Sequence, residues 1–390
     1  MKSISILGST GSIGKSTLDV LRLNPVNFKV FALSCYSNLE LLAQQTIEFQ
    51  PEVIVVKDAD DREIIRSHLK EKASPEILCG PDGYKAIVEA DIVTDVVAAI
   101  SGAAGLISTY HAALKGKRIL LANKESMVMA GSLIMHQTKM NQGLIIPVDS
   151  EHNAIFQVLN NTADNQAIKK IILTASGGPF RGFSPEALKE VTIKQALNHP
   201  KWSMGKKISI DSATMMNKGL EVIEASFLFN LPSERIEVLI HPQSIVHSFV
   251  EFIDGSSLTQ LGCPDMRVPI SFALGYPQRI PSGVNGIDLT KHEALSFSQP
   301  NHKLFPCLNL AYQALSAGQS SCVILNAANE IAVEAFLKGR IIFTKIHDVV
   351  KEAMNMVVTE TNHELGDIID LDKAVRARTH EIIEIGRAHV

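Results

Sequence analysis

The chain has 390 residues, enough for about two or three domains with separate cores. Its 37 lysines and arginines against 41 aspartates and glutamates leave a formal charge of −4, so no global basic field favours nucleic acid or an anionic membrane. Hydrophobic residues make up 46% and charged residues 20%, with no apolar run of about 18 residues and no basic segment ahead of an apolar stretch, which predicts a soluble, cytoplasmic globular protein.

The first strand, Ser3–Leu7, runs into Gly8-Ser-Thr-Gly11-Ser-Ile-Gly14, and an amphipathic helix follows at once. Glycines there let the backbone turn tightly and approach a pyrophosphate, whose charge the amides of the helix start hold. The spacing is Gly-x-x-Gly-x-x-Gly, and an ordinary glycine turn is the bland alternative. Gly14-Lys15-Ser16 also ends like an ATP-binding P-loop. The glycine that such a loop needs five positions earlier falls on Ser9, and Gly8 lies one residue too far back.

Further strands are predicted at Lys29–Leu33, Val53–Val56, Ile92–Asp95, Arg118–Leu121 and Leu144–Pro147, with helices between them, among them Leu39–Phe49 and Leu106–Leu114. This alternation argues for a doubly wound, Rossmann-like parallel sheet over residues 1–149. Ligands bind such sheets beyond the carboxyl ends of the strands. Chemistry is therefore expected at Gly8–Gly14, Ser101–Gly105, Ala122–Ser126 and Asp149–His152. After the second strand the chain reads Cys35-Tyr36-Ser37-Asn38, without the carboxylate that would bind the ribose 2′-hydroxyl of NAD; the lack of negative charge favours NADP.

Residues 150–275 read differently. Strands at Lys169–Thr174, Arg235–Ile240, Ser244–Phe252 and Ser257–Gly262 suggest a partly antiparallel sheet in a second, α+β catalytic domain. A Pro- and Gly-rich stretch, 276–302, reads as a linker. Residues 303–390 read as a C-terminal helical bundle, with helices at Leu308–Ala317, Ala327–Lys338, Ile346–Val357 and Leu371–Ile385. The five cysteines (Cys35, Cys79, Cys263, Cys307, Cys322) are odd in number and scattered, which points to reduced thiols.

Two carboxylate motifs carry the chemistry. Asp149 and Glu151 are two apart and share a side if the strand persists. Adjacent carboxylates repel unless a cation or proton separates them, and oxygen donors favour a hard cation such as Mg²⁺ or Mn²⁺. In Asp211–Glu224, Asp211 or Ser212 reads as the N-cap of a helix that puts Asn217, Lys218 and Glu221 on one face. A helix start with Ser, Asn and Lys suits a phosphate, and Glu221 offers a third carboxylate; a solvated Lys–Glu face is the alternative. Thr174-Ala-Ser176-Gly-Gly suits an anion or is a plain turn. Trp202, the sole tryptophan, sits between Pro200 and Gly205 and suggests a mobile lid spanning about Ala196 to Lys207, with Lys206 and Lys207 facing anionic ligands. His152, His241 and His247 are open between site and structural roles.

These residues resemble the 1-deoxy-D-xylulose 5-phosphate reductoisomerase family. The likeness lies in GSTGSIG at 8–14, LANKES at 121–126, VDSEH at 148–152, SGGPF at 176–180, HPKWSMG at 199–205, DSATMMNKGLE at 211–221, HPQSIVH at 241–247, Cys263-Pro-Asp-Met-Arg and LNAANE at 325–330. It spans the whole chain. The resemblance implies that Asp149, Glu151 and Glu221 hold a divalent metal. Ser176, Ser212, Asn217 and Lys218 would bind the substrate phosphate, and Lys124, Ser150, Glu151, His199 and Trp202 would serve the rest of the sugar phosphate. Thr10, Gly11, Ser12, Ile13, Tyr36, Ser37, Asn38, Asn123, Glu125 and Gly205 would contact NADPH. It also implies Lys124 and His199 among the catalytic groups, a homodimer, and reduction of a rearranged aldehyde to 2-C-methyl-D-erythritol 4-phosphate. The loop after the second strand departs from the family pattern, which often begins with Gly and carries Lys in some members. The competing readings are a simpler NADP-dependent dehydrogenase of a phosphorylated small molecule, which needs no metal, and a non-catalytic dinucleotide sensor.

Overall fold

The computed structural model describes residues 1–69, 72–159, 165–202, 204–291, 294–355 and 364–388. The first part of the chain alternates strand and helix: β1 (Lys2–Leu7), α1 (Ser12–Leu23), β2 (Phe28–Ser34), α2 (Leu39–Phe49), β3 (Val53–Val56), α3 (Ala59–Leu69), β4 (Glu76–Cys79), α4 (Gly80–Glu89), β5 (Asp95–Ala98), α5 (Leu106–Leu114), β6 (Arg118–Leu121), α6 (Lys124–Met140), β7 (Leu144–Pro147) and α7 (Ser150–Leu159). The seven strands form one parallel sheet in the order β4-β3-β2-β1-β5-β6-β7. All four residues of β3 and of β5 are buried, as expected of strands covered on both faces. The strand order reverses beside β1, so its carboxyl end, at Gly8, is the topological switch point of the sheet.

Three elements here escape the sequence pattern: β4, one of the two helices on either side of it (α3 and α4), and α7. The strand expected at Ile92–Asp95 falls at Asp95–Ala98 instead. Val93 N–H bonds Ala90 O in a turn, so the apolar run Ile92–Ile100 starts as a turn, and periodicity alone could not place its register.

The second part carries β8 (Ile168–Ala175), short helices α8 (Pro185–Lys189) and α9 (Ile193–Leu197), then α10 (Lys206–Ala213), α11 (Met216–Phe229), β9 (Ile236–Ile240), β10 (Val246–Phe252), β11 (Ser257–Leu261) and α12 (Arg267–Gly275). Its sheet has the order β11-β10-β8-β9, antiparallel except for the β8–β9 pair. Helices α13 (Cys307–Ala317), α14 (Gln319–Leu337), α15 (Lys345–Met354) and α16 (Leu365–Ala388) follow. Residues 356 and 357, expected to end a helix, lie outside the described residues. Among those described, α14 alone is long and apolar enough to cross a membrane; 78% of that stretch is buried within the protein, as in a core helix.

Two compact units result. One comprises residues 1–123, 134–153 and 265–286; the other comprises 124–133, 154–264 and 287–390. Residues 265–286 include α12 and the start of the stretch read as linker, and they pack on the first unit. Lys2 Nζ donates to Leu274 O (2.9 Å), and Arg118 donates to Tyr276 O (2.8 Å). Carbonyls in the last turn and at the cap of a helix give no periodic signal, so this return of the chain is not legible in sequence.

Candidate active site

In the first unit, β1 ends in a turn whose shape demands glycine. Gly8 has φ +76°, and a Cβ there would meet Ala99 O at 2.8 Å; at Gly14 it would lie 2.4 Å from Ser9 Cα. Ser9 is buried and ties the turn inward, its N–H bonding Ser34 O (2.8 Å) and its hydroxyl Gln45 Oε1 (2.7 Å). Thr10, Gly11, Ser12 and Ile13 are exposed or half-buried, and Gly11 caps α1 without a side-chain acceptor. Asn123 is buried and donates to Gly102 O (3.0 Å), fixing the loop after β5.

Tyr36, Ser37 and Asn38 are exposed past the end of β2. Asn38 Oδ1 accepts from Leu41 N–H (3.1 Å) as the cap of α2. A residue that the sequence argument passed over also lies here: Lys57 Nζ, just beyond β3, is 5.9 Å from the centre of the Tyr36 ring. Only strand pairing brings the two loops together, so no local motif marks Lys57.

Strand β7 ends at Pro147, and α7 starts at Ser150. The strand that would put Asp149 and Glu151 on one side therefore does not persist, because the extended conformation stops before Asp149. Asp149 instead precedes the helix, with Oδ1 3.4 Å from Glu151 N, and the Ser150 hydroxyl donates to Glu151 Oε2 at 2.7 Å. Asn153 Nδ2 donates to Pro147 O (2.7 Å) and locks the strand-to-helix corner.

In the second unit Glu221 is a hub. Lys124 Nζ, at the start of α6, lies 2.9 Å from both Glu221 Oε1 and Asn217 Oδ1. Asn217 and Lys218 also donate to the Glu221 carboxylate. Lys124, Lys218 and Glu221 are all buried, which rules out the solvated-face reading. Asp211 and Ser212 are not the expected N-cap. They lie inside α10, and the chain breaks at Met215, with φ +63°, before α11 begins. The break turns the first residues of α11, Asn217 among them, onto a new axis.

Ser176 follows β8. Its hydroxyl lies 2.9 Å from His199 Nε2 and accepts from Gly178 N–H at 3.2 Å. Gly178 has φ +68°, and a Cβ there would meet Ser212 O at 2.7 Å, so this loop packs directly on Ser212. His199 Nδ1 accepts from the N–H groups of Lys201 (3.2 Å) and Trp202 (3.0 Å). Burial lowers the His199 pKa, favouring a neutral ring with its proton on Nε2. Trp202 is half-buried, Gly205 caps α10 and is open on its Cα face, and Ser203 lies outside the described residues.

Lys207, expected to face anionic ligands, faces two carboxylates of the protein instead. Its Nζ bonds Glu125 Oε1 (2.7 Å) and Asp211 Oδ2 (2.8 Å), and Asn329 Nδ2 donates to Asp211 Oδ1 (2.8 Å). Burial opposes charge on Glu125, yet Lys207 beside it holds the carboxyl below its usual range. The Glu125 carboxylate is thus engaged within its own unit. His241 is structural: Nδ1–H donates to Ser296 O (2.9 Å), while Nε2 accepts from Ile245 and Val246 N–H (3.2 Å each). The five cysteines are reduced thiols, and burial pushes those of Cys35, Cys307 and Cys322 up to about 12, which makes these three inert.

Comparison with known proteins places these features in one family. The family model of 1-deoxy-D-xylulose 5-phosphate reductoisomerase matches residues 4–131, and models of its C-terminal domains match 145–229 and 261–378. The chain is 53% identical to the reductoisomerase of Paraburkholderia phytofirmans, over 98% of this chain and 96% of that one, and 50% identical to that of Chlorobium phaeobacteroides, over 98% and 100%. It superposes with a TM-score of 0.96 at 45% identity, covering 99% of each chain, on a DOX-P reductoisomerase in complex with NADPH, fosmidomycin and magnesium. The Zymomonas mobilis enzyme in complex with NADPH gives a TM-score of 0.91 at 40% identity, over 98% of this chain and 99% of that one. A glycine turn at the switch point of a parallel sheet, a Lys–Asn–Glu hub around a buried carboxylate and family matches along nearly the whole length lead to one conclusion: the chain belongs to the 1-deoxy-D-xylulose 5-phosphate reductoisomerase family.

Proposed function

We propose that the protein converts 1-deoxy-D-xylulose 5-phosphate into 2-C-methyl-D-erythritol 4-phosphate, a step of the non-mevalonate isoprenoid pathway. It uses NADPH as hydride donor and a divalent cation, Mg²⁺ or Mn²⁺, and works as a homodimer in the cytoplasm, a compartment in keeping with its reduced thiols. The observation that carries this reading is the hub of Lys124, Asn217 and Lys218 around the buried Glu221, in a chain of this family. Similar enzymes hold NADPH and magnesium.

The residues present fit both groups. Glycines at 8 and 14, where a Cβ would collide with backbone, allow close approach of a pyrophosphate to the amides of Thr10 to Ile13. Asp149, Glu151 and Glu221 are the proposed metal ligands, and their all-oxygen donor set suits a hard cation. When bound, the cation supplies Lewis-acid stabilisation of the oxygen charge that develops as the carbon skeleton rearranges.

The chain's own groups bind and orient. Ser176, Ser212, Asn217 and Lys218 hold the substrate phosphate. His199 donates its Nε2 proton to Ser176 Oγ, which leaves the serine proton for a phosphate oxygen. Lys124, held by Glu221 and Asn217, presents a fixed ammonium to the sugar oxygens, and Ser150 adds a hydroxyl. Tyr36, Ser37, Asn38, Asn123 and Gly205 line the nucleotide, with Glu125 contributing through its backbone. Trp202, on the segment between α9 and α10, closes over the substrate and excludes water.

The test is to incubate the pure protein with 1-deoxy-D-xylulose 5-phosphate, NADPH and Mg²⁺, follow absorbance of the reduced cofactor, and identify the product by mass. Stoichiometric NADPH oxidation that a chelator abolishes and added metal restores is expected. Turnover indifferent to chelator would favour the simpler dehydrogenase, and no oxidation would sink the proposal. Trp202 emission should also change when a saturating metal-chelating phosphonate binds.

A further inference from the structure

The nucleotide loop after β2 poses a charge problem. Tyr36-Ser37-Asn38 contains no cation, and Asn38 Oδ1 is engaged as a helix cap, so this loop offers a 2′-phosphate little beyond the Ser37 hydroxyl. Strand pairing supplies the missing charge. In the parallel ladder Ser34 of β2 stands beside Val55 of β3, and Cys35 N–H bonds Val55 O (3.1 Å), so the chains leave the sheet side by side. Lys57, the first residue past β3, projects its ammonium to 5.9 Å from the Tyr36 ring. Tyr36 is 71% exposed, an aromatic face at the carboxyl edge of the sheet on which an adenine can stack.

We propose that Lys57, carried to the Tyr36–Asn38 loop by the neighbouring strand, is the cation that selects the 2′-phosphate of NADPH over the 2′-hydroxyl of NADH. The inference rests on the proposed use of NADPH. Lys57 now pairs with Asp58 Oδ2 (2.8 Å), the two side chains being 47% and 41% exposed. An exposed pair of this kind is weak, so Lys57 exchanges it readily for a phosphate that carries about −1.5 to −2 charges. Asp58 keeps a separate task, since its Oδ1 accepts from Asp61 N–H (3.0 Å) at the start of α3. Asp58 and the nearby Asp61 oppose an anion here, so Lys57 must offset them.

The experiment measures dissociation constants of NADPH, NADH, adenosine 2′,5′-bisphosphate and AMP by calorimetry on the full chain at one salt concentration. Lys57→Met should weaken NADPH and the bisphosphate by about tenfold, the loss of one charge-assisted contact, and leave NADH and AMP unchanged. Lys57→Arg should retain the preference. Asp58→Asn, which keeps a capping oxygen while freeing Lys57, should tighten NADPH. Equal loss for NADPH and NADH, or no loss for either, overturns the assignment, and so does weaker NADPH binding by Asp58→Asn. A wild-type chain that binds neither dinucleotide overturns the NADPH reading itself, whatever the variants do. Lys57 is exposed, so the variant is expected to fold, which a thermal melt verifies.

Discussion

Around the glycine turn of the first unit, Thr10 to Ile13 and Tyr36 to Asn38 are exposed or half-buried, and the shape comes from Gly8 and Gly14. The second unit buries Lys124, Glu125, Asp211, Lys218 and Glu221. The turn in the first is shaped by backbone, which needs space and little desolvation. The other is made of charges taken out of water, each stable only while its partners remain. A backbone site should therefore fail by collision, and a charge site by loss of one partner.

Four measurements probe that contrast. The largest effect is expected from Glu221→Gln, which removes the hub charge and leaves one acceptor oxygen where two serve Lys124, Asn217 and Lys218. Turnover should fall about a thousandfold with NADPH affinity nearly unchanged, as read by steady-state kinetics and calorimetry. Unaltered turnover would strip Glu221 of its role. Gly14→Ala should do the reverse. The new Cβ meets Ser9 Cα at 2.4 Å, so NADPH affinity should drop by about a hundredfold, and an intact dissociation constant would show that the turn is not the pyrophosphate site.

Lys207→Met leaves Glu125 and Asp211 buried without their shared cation. Breaking such a group costs about 3–5 kcal/mol, visible as a lower urea midpoint. A midpoint equal to wild type would mean that the network is dispensable. The smallest effect concerns pH. Burial holds the His199 pKa below its ordinary 6.5, so the unfolded chain binds more protons in that range. The contribution of neutral His199 is complete above pH 6.5 and is lost as pH falls through that value toward the folded pKa. The melting temperature should thus drop less on acidification in His199→Gln than in wild type; equal drops would assign the acid sensitivity elsewhere, His241 being shifted the same way.

Legibility in the sequence followed the range of the interactions. The turn at Gly8–Gly14, the alternation of the parallel sheet and the grouping of Asn217, Lys218 and Glu221 all rest on neighbours a few residues apart, and all appear in the structure. The N-cap assigned to Asp211 or Ser212 did not survive, because Met215 adopts a left-handed conformation that no propensity of methionine announces. Lys207 was read as a cation for ligands because its partners, Glu125 and Asp211, could not be chosen from many possible carboxylates.

From sequence alone came the strand–glycine–helix start, the parallel sheet, the mixed second sheet, the helical end and the residue types of both sites, since periodicity, turn chemistry and donor type are local properties of the chain. Only the tertiary structure decided that Lys124 joins Asn217 and Glu221, that residues 265–286 pack with the first unit, that His241 serves the framework, and that Lys57 stands beside Tyr36. Each of those depends on which distant segments a buried surface or a sheet ladder brings together, and the free energy of that choice belongs to the packed core as a whole.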